Sequence, residues 1–318
     1  MELIAFFDKF LADTVNLNQS SLDILSDKVS ILDSFFKSND MLKKYYIELL
    51  PQGSYGQKTI IKPPKDKDFD VDVLLSLQSI NGWQPKDYVV NVHAEFIQDG
   101  NYKKIIELNS RCVTIHYSGD FHVDIVPFLK INGKHYITNK DDNRLEKTKP
   151  IAYTEWLMKK NAAANSCLIK VIRLAKYLRD IKENFSVKSI LLNTLIGNCV
   201  ADKEALSEFT NLPTTFLTIF TRLNTFLQNN LTMPIVKNPT LLSEDFNRHW
   251  DQKKYSNFRE KTKLYFDKTK AAYDEVEKEE SIKKWQAVFG DDFPSSVVDD
   301  EKAKSFSVLA SKSKPWGN

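Results

Sequence analysis

Three aspartates and a Gly-Ser turn are the residues of this chain whose types and spacing can do chemistry. Gln52-Gly53-Ser54-Tyr55-Gly56 comes first. Phe69-Asp70-Val71-Asp72-Val73-Leu74-Leu75 follows, and Phe121-His122-Val123-Asp124-Ile125-Val126-Pro127-Phe128 supplies the third aspartate. Asp70, Asp72 and Asp124 each interrupt a run that otherwise reads as a buried strand. A carboxylate is costly in such a place unless its charge is compensated, and three on one sheet repel each other without a cation. A pair of divalent ions is the simplest compensation. Hard oxygen ligands suit Mg²⁺, or Mn²⁺, better than zinc. Two such ions about 3.5–4 Å apart stabilise the attacking and leaving oxygens of phosphoryl or nucleotidyl transfer. Gly53, with no Cβ, lets the backbone approach a phosphate closely. Ser54 adds a hydroxyl and a backbone N–H, a small anion-binding concavity.

The elements that must hold these residues follow from alternation. Asp70 and Asp72 point to one face of their strand, Val71 and Val73 to the other. His122, Asp124 and Val126 share a face of theirs, so adjacent strands bring the three carboxylates together. The competing reading is a solvated edge strand, which the apolar run Val73-Leu74-Leu75 argues against. Asp68 has the same parity but borders the polar loop from Lys62 to Lys67, and the metals are assigned to Asp70 and Asp72. Residues 2–13 predict a short helix. Residues 20–37 predict a longer one, capped by Ser20 or Ser21, with Leu22, Leu25, Val29, Leu32 and Phe36 on one face as core. Strand-like sequence runs from Tyr45 to about Thr138, with hairpin signals at Ser118-Gly119-Asp120 and Asn132-Gly133. Pro150 opens a mostly helical half. There Leu168–Arg179, Ser189–Ile196, Thr215–Leu227 and Asn257–Glu279 lack Pro and Gly. The last residues, Asp299 to Asn318, read as a tail.

The Gly-Ser turn, the Asp-x-Asp strand and the third aspartate strand together resemble the polymerase-β-like nucleotidyltransferase superfamily. Within it the chain is similar to the cGAS/DncV-like nucleotidyltransferases (CD-NTases), bacterial members of which make cyclic oligonucleotide signals in antiphage CBASS systems. Leu168-Ile169-Lys170-Val171-Ile172-Arg173-Leu174-Ala175-Lys176-Tyr177-Leu178 resembles the family helix that sends a lysine, here Lys176, to the donor triphosphate. Phe185-Ser186-Val187-Lys188-Ser189-Ile190-Leu191-Leu192 resembles the segment with a phosphate-contacting serine, here Ser189, which also suits a helix N-cap. Asn238-Pro239 through Trp250, and Trp285 to Phe293, resemble the C-terminal helices of bacterial members.

The resemblance implies an α+β, bilobal fold: a polymerase-β-like core of mixed sheet and helices, and a helical C-terminal lobe. The expected division is a catalytic core with N-terminal helices over residues 1–150, a helical nucleotide-binding lobe over 151–298, and a tail over 299–318. The implied activity is metal-dependent joining of NTPs, ATP among them, into a cyclic di- or trinucleotide second messenger with release of pyrophosphate. The aspartate triad fits linear transfer to RNA, protein or a small molecule equally well. The family leaves room for a regulatory protein partner.

Composition agrees with a soluble enzyme. The 45 Lys and Arg against 42 Asp and Glu leave a formal charge of +3, too weak to announce a polyanion partner. Cys112, Cys167 and Cys199 are widely spaced, which fits a reducing, cytoplasmic setting and no short-range zinc motif. Nothing resembles the zinc insertion of the DNA-sensing animal members, so a nucleic-acid activator is not indicated. No stretch approaches the roughly 18 apolar residues of a membrane span, and Glu2 and Asp8 interrupt any signal-peptide pattern. Lys170, Arg173 and Lys176 recur at three-residue steps along one side of a helix, where a triphosphate can meet one or two of them. Gln52 and Lys58 flank the turn. Tyr153, Trp156 and Tyr177 are candidates to stack on a base. His122 shares the face of Asp124 and suits a supporting role.

Overall fold

The computed structural model describes residues 1–63, 69–118, 121–203 and 206–297. Asp68, most of the loop before it, Gly119-Asp120 and the tail expectation lie outside the described residues.

Helix α1 (Ile4–Phe10) runs into a π-helical turn at Leu11–Val15 and is followed by α2 (Gln19–Ser38). The apolar stripe of α2 is core as expected, with Leu25, Leu32 and Phe36 buried. Its cap is Asn18 rather than Ser20 or Ser21: the Asn18 side chain accepts from the Ser21 N–H at 2.8 Å, so the helix begins earlier. Strand β1 (Tyr46–Gln52) leads straight into the one-turn helix α3 (Gly53–Gly56), then β2 (Phe69–Leu77) and α4 (Pro85–Asp99). Strands β3 (Ile106–Leu108), β4 (Val113–Tyr117), β5 (Phe121–Ile131), β6 (Lys134–Asn139) and β7 (Arg144–Lys147) complete a seven-stranded mixed sheet. Its order is β1-β2-β5-β4-β3. β6 joins β5 beyond the end of β4, and β7 joins β6. Among the described residues only β2 and β5 pair in parallel. Asn132 and Gly133, at φ 49° and 72°, make the tight β5–β6 turn that their types predict.

One face of the sheet, with Val71, Val73, Val123 and Ile125, packs on α2 and α4 in a continuous apolar core. The other face carries the aspartates. Period-two alternation is therefore what separates core from chemistry here.

The second half holds α5 (Pro150–Ala163), α6 (Leu168–Lys182), α7 (Ser189–Asn198), α8 (Leu212–Asn229), the hairpin β8 (Lys237–Asn238) and β9 (Leu241–Asp245), α9 (Gln252–Asp274) and α10 (Lys278–Phe289). Three expectations are corrected. The helix expected over Asn257–Glu279 ends at Asp274. The Glu275 carboxylate accepts from the N–H groups of Val276 and Glu277, offering the backbone a local alternative to the helix. The stretch from Asn238 to Trp250 is a hairpin and a single 3₁₀ turn rather than helix, because the Asn238 side chain folds over Pro239 to accept from the Thr240 N–H. Residues 3–15 do not pack with the sheet. Phe6, Phe7, Phe10, Leu11 and Val15 lie in the helical half's core, where Phe7 meets Trp285 edge-on with ring centroids 4.7 Å apart. No described helix is long and apolar enough to cross a membrane.

Candidate active site

The register of the sheet sets out the site. Asp72 pairs with Asp124 across the parallel β2–β5 ladder, Gln52 stands opposite Asp72 on β1, and Thr114 stands opposite Asp124 on β4. These four side chains form one polar row across the face away from the apolar core. A second row, two residues along, runs Asp70, His122, His116. His122 Nε2 lies 3.1 Å from Asp70 Oδ1, and the Thr114 hydroxyl donates to Asp124 Oδ1.

The expectation that all three aspartates are buried holds unevenly. The Asp70 side chain is 69 % exposed at the rim of the cleft. Asp72 lies deepest. Burial first, then the charges of Asp124 and Asp70, push its carboxyl up to about 6, while His122 and Lys176 pull the other way. Gly53, at φ +60°, sits directly on this carboxylate: a Cβ there would lie 1.8 Å from Asp72 Oδ2. Glycine at this position is thus required twice, for the left-handed backbone and for the contact.

This donor set fits a hard divalent cation. It is all oxygen, it projects from two adjacent rigid strands, and Asp72 carries a charge that no described cationic side chain contacts directly. As the side chains stand, no three His, Cys, Asp or Glu groups among the described residues are close enough to hold an ion. Asp70 Oδ1 faces His122, and Asp124 Oδ1 accepts from the Thr114 hydroxyl.

Across the cleft, Lys176 lies on α6, only 3 % exposed. Its ammonium donates to the carbonyl and the hydroxyl of Thr59, each at 3.0 Å. Burial, reinforced by Arg179, lowers it to about 7. Ser189 is the first residue of α7. Its N-cap position is taken by Lys188, so Ser189 is not the cap; its hydroxyl instead accepts from Arg179 Nη1 at 3.2 Å. Two cavities of about 220 and 230 Å³ open here, and Ser54, Asp70, Lys176 and Ser189 line both. Of the residues put forward from the sequence for metal or phosphate, Gly53, Ser54, Asp70, Asp72, Lys176 and Ser189 line these cavities; Asp124 stands one strand further in, and Gln52, Lys58, Lys170 and Arg173 line neither cavity.

Other candidates are structural. Arg173 is mostly buried; its guanidinium donates to the Lys58 carbonyl at 2.6 and 2.9 Å and to Asn16 Oδ1 at 3.0 Å. It thereby holds Lys58, whose φ is 57°, and is no free phosphate ligand. Tyr153 and Tyr177 are buried core rings: the Tyr153 hydroxyl bonds Thr194 and that of Tyr177 donates to Asp292. Trp156 packs tightly on Gly197. Neither tyrosine offers a face for a base, and Trp156 is half-buried. Unforeseen in the sequence are Arg179 and Asp180, paired at 2.7 Å on the cavity wall, and the buried amides of Gln57 and Asn193. Asn193 Nδ2 donates to Gln57 Oε1 at 3.0 Å, while its own Oδ1 has no partner among the described residues.

The profile of a family described as the Second Messenger Oligonucleotide or Dinucleotide Synthetase domain (SMODS) matches residues 1–161. The chain belongs to this family. It is accordingly a cGAS/DncV-like nucleotidyltransferase with the α+β polymerase-β-like fold. A c-di-GMP synthase from Roseivirga ehrenbergii is 33 % identical over 117 residues, which are 35 % of this chain and 31 % of that protein. The match thus spans about a third of that relative's length. Among solved structures, Escherichia coli MS115-1 CdnC with ATP superposes with a TM-score of 0.72 at 19 % identity, over 92 % of this chain and all of the other. Vibrio cholerae DncV, a cyclic AMP-GMP synthase solved with the linear intermediate pppA(3′,5′)pG, gives 0.69 at 13 % identity, over 92 % and 96 %. Identities this low speak for the fold alone.

Proposed function

We propose that the protein joins NTPs, ATP among them, into a cyclic di- or trinucleotide second messenger, releasing pyrophosphate, as a signal in antiphage defence. The observation that carries the reading is the facing of Asp72 and Asp124 across the β2–β5 ladder, with Asp70 beside them and the Gly53–Ser54 turn resting on Asp72. The family is dependent on a divalent metal. On this reading Asp70 and Asp72 hold one Mg²⁺ and all three aspartates a second, with Mn²⁺ able to replace either. The ions, when bound, supply charge neutralisation at the triphosphate and acidify the attacking ribose hydroxyl.

The chain's own residues do the rest. Ser54, Lys176 and Ser189 converge on the triphosphate from the two halves of the molecule and fix the α-phosphorus for in-line attack. Lys176, held close to neutrality by burial, regains its charge beside a polyanion. Asp124, next to the nucleophile, takes the proton from the attacking hydroxyl. One P–O bond forms to the ribose oxygen as the bond to pyrophosphate breaks. A second round within the linear product closes the ring. DncV in complex with a linear dinucleotide supports such stepwise synthesis in a protein of the same fold.

The division of labour proposed for the chain is a sheet unit over residues 1–150 that carries the metals and a helical unit over 151–298 that grips the triphosphate, with residues 3–15 lent to the second. Incubation with the four NTPs and Mg²⁺, phosphatase treatment and mass spectrometry test the activity. A phosphatase-resistant cyclic di- or trinucleotide is expected. Label carried instead on a macromolecule would replace this reading with linear transfer.

A further inference from the structure

The polar row on the sheet continues past the aspartates into a chain of hydrogen bonds with one permitted direction. The Thr114 hydroxyl meets Asp124 Oδ1, and both Asn109 Nδ2, at 2.9 Å, and the Cys112 thiol, at 3.7 Å, lie against the same hydroxyl oxygen, where each can only donate. An ionised carboxylate only accepts, so Thr114 must spend its single proton on Asp124. Its oxygen is then available to Asn109 only as an acceptor, and Asn109 must present its NH₂ group. The order Asn109 to Thr114 to Asp124 therefore follows from donor chemistry alone.

The source of this chain is held still. Asn109 begins the turn between β3 and β4, where its N–H donates to the Cys112 carbonyl at 3.0 Å. Arg111 in the same turn makes a two-pronged pair with Glu146 on β7, at 2.8 and 2.9 Å. The Thr114 side chain itself is buried, 4 % exposed. Asp72, by contrast, receives no such donor among the described residues.

We propose that Thr114, oriented by Asn109, is a positioning residue that fixes the Asp124 carboxylate, occupying Oδ1 so that Oδ2 faces the reaction. The inference rests on the reading of Asp124 as metal ligand and base. It assigns the β3–β4 turn a part in metal affinity and rate.

The test uses the full chain with Thr114→Val, Thr114→Ser, Asn109→Asp and Asp124→Asn. The measurements are kcat and KM for product formation, calorimetric Mn²⁺ affinity in the presence of a nonhydrolysable ATP analogue, and melting temperature. Loss of an outer partner typically costs about ten- to a hundredfold in metal affinity or activity. That fall is expected in kcat and in Mn²⁺ affinity for Thr114→Val, with KM for NTP changed by less than about threefold, and Thr114→Ser restores both. Asn109→Asp is the sharper variant. An added negative charge alone tightens Mn²⁺ binding, whereas a carboxylate at 109 draws the Thr114 proton away from Asp124 and weakens it. Weakened binding in Asn109→Asp supports the relay, and tightened binding with wild-type kcat overturns it. If Thr114→Val does not fold, Asn109→Asp and Thr114→Ser decide the matter. Wild-type kcat and Mn²⁺ affinity in a folded Thr114→Val also overturn the proposal, provided that Asp124→Asn is inactive. An active Asp124→Asn would instead bring down the underlying assignment of the site.

Discussion

The two halves of the molecule place their functional side chains by different means. In the sheet, Asp72, Asp124, Gln52 and Thr114 are neighbours because strand register makes them so. Their positions are fixed to the precision of a hydrogen-bonded ladder. In the helical half, Lys176 reaches Thr59, Arg173 reaches Lys58 and Asn193 reaches Gln57, each across more than a hundred residues of chain. These contacts depend on how the halves dock. The sheet side is rigid and electrostatically strained, with like charges crowded on one face. The helical side carries its own strained charge in the buried Lys176, lowered to about 7, and relies on buried polar contacts. A site of the first kind loses chemistry when altered, and one of the second kind loses alignment.

Asp72→Asn should break the sheet side outright. Product formation is expected to fall to background in the NTP assay, while the melting temperature at pH 7 stays level or rises. The sign follows from linkage. A carboxyl raised from 3.8 to about 6 in the fold is less favourable charged there than in the unfolded chain, so it costs stability above that range and the neutral amide removes the cost. A fall of several degrees would mean that the carboxylate is structural. Gly53→Ala comes next. The left-handed backbone adds about 1 kcal/mol, and the new methyl must displace the Asp72 carboxylate. Turnover should drop far more than stability, and an alanine variant with normal turnover would contradict the close approach at this turn.

The helical side predicts milder effects. Asn193→Leu removes the Gln57 bond and leaves a buried amide oxygen unpaired, at a cost of about 1–3 kcal/mol in denaturant unfolding. Its effect on activity should appear mainly as a raised KM for NTP. Wild-type stability would show that the amide pair does not join the halves. The smallest effect is a proton count. Lys176, lowered to about 7, is largely neutral at pH 8 and charged at pH 6. Nucleotide binding should therefore take up close to one proton at pH 8 and almost none from this group at pH 6. Calorimetry in buffers of different ionisation enthalpy measures this. Equal uptake by wild type and Lys176→Met would exclude the lysine as its source.

The same contrast explains what was legible in the sequence. Asp70, Asp72 and Asp124 stand out because alternation of period two makes a charge in an apolar strand conspicuous, and Asn132-Gly133 is a turn by residue type alone. Asn193 and Gln57 carry no such mark. An asparagine in an apolar helix and a glutamine after a turn acquire meaning only when 136 positions of chain are folded together. Arg173 misled for the related reason that its spacing matches that of Lys176. Three residues along a helix rotate a side chain by about 300°, enough to send one to Asn16 and Lys58 and the other to Thr59. Tyr153 and Tyr177 were plausible base platforms by type, and only burial shows that they are core.

The packing of residues 3–15 has a consequence for the order of assembly. Phe7 and Phe10 complete their surroundings with Phe289 and Phe293, the two ends of the described chain closing on each other. During synthesis at roughly 5–20 residues per second, the first helix waits on the order of half a minute for those partners. The sheet can form meanwhile from consecutive sequence. The helical core cannot close until Phe293 has emerged, so the sheet half, proposed to hold the metals, is expected to form before the helical half, proposed to bind the triphosphate.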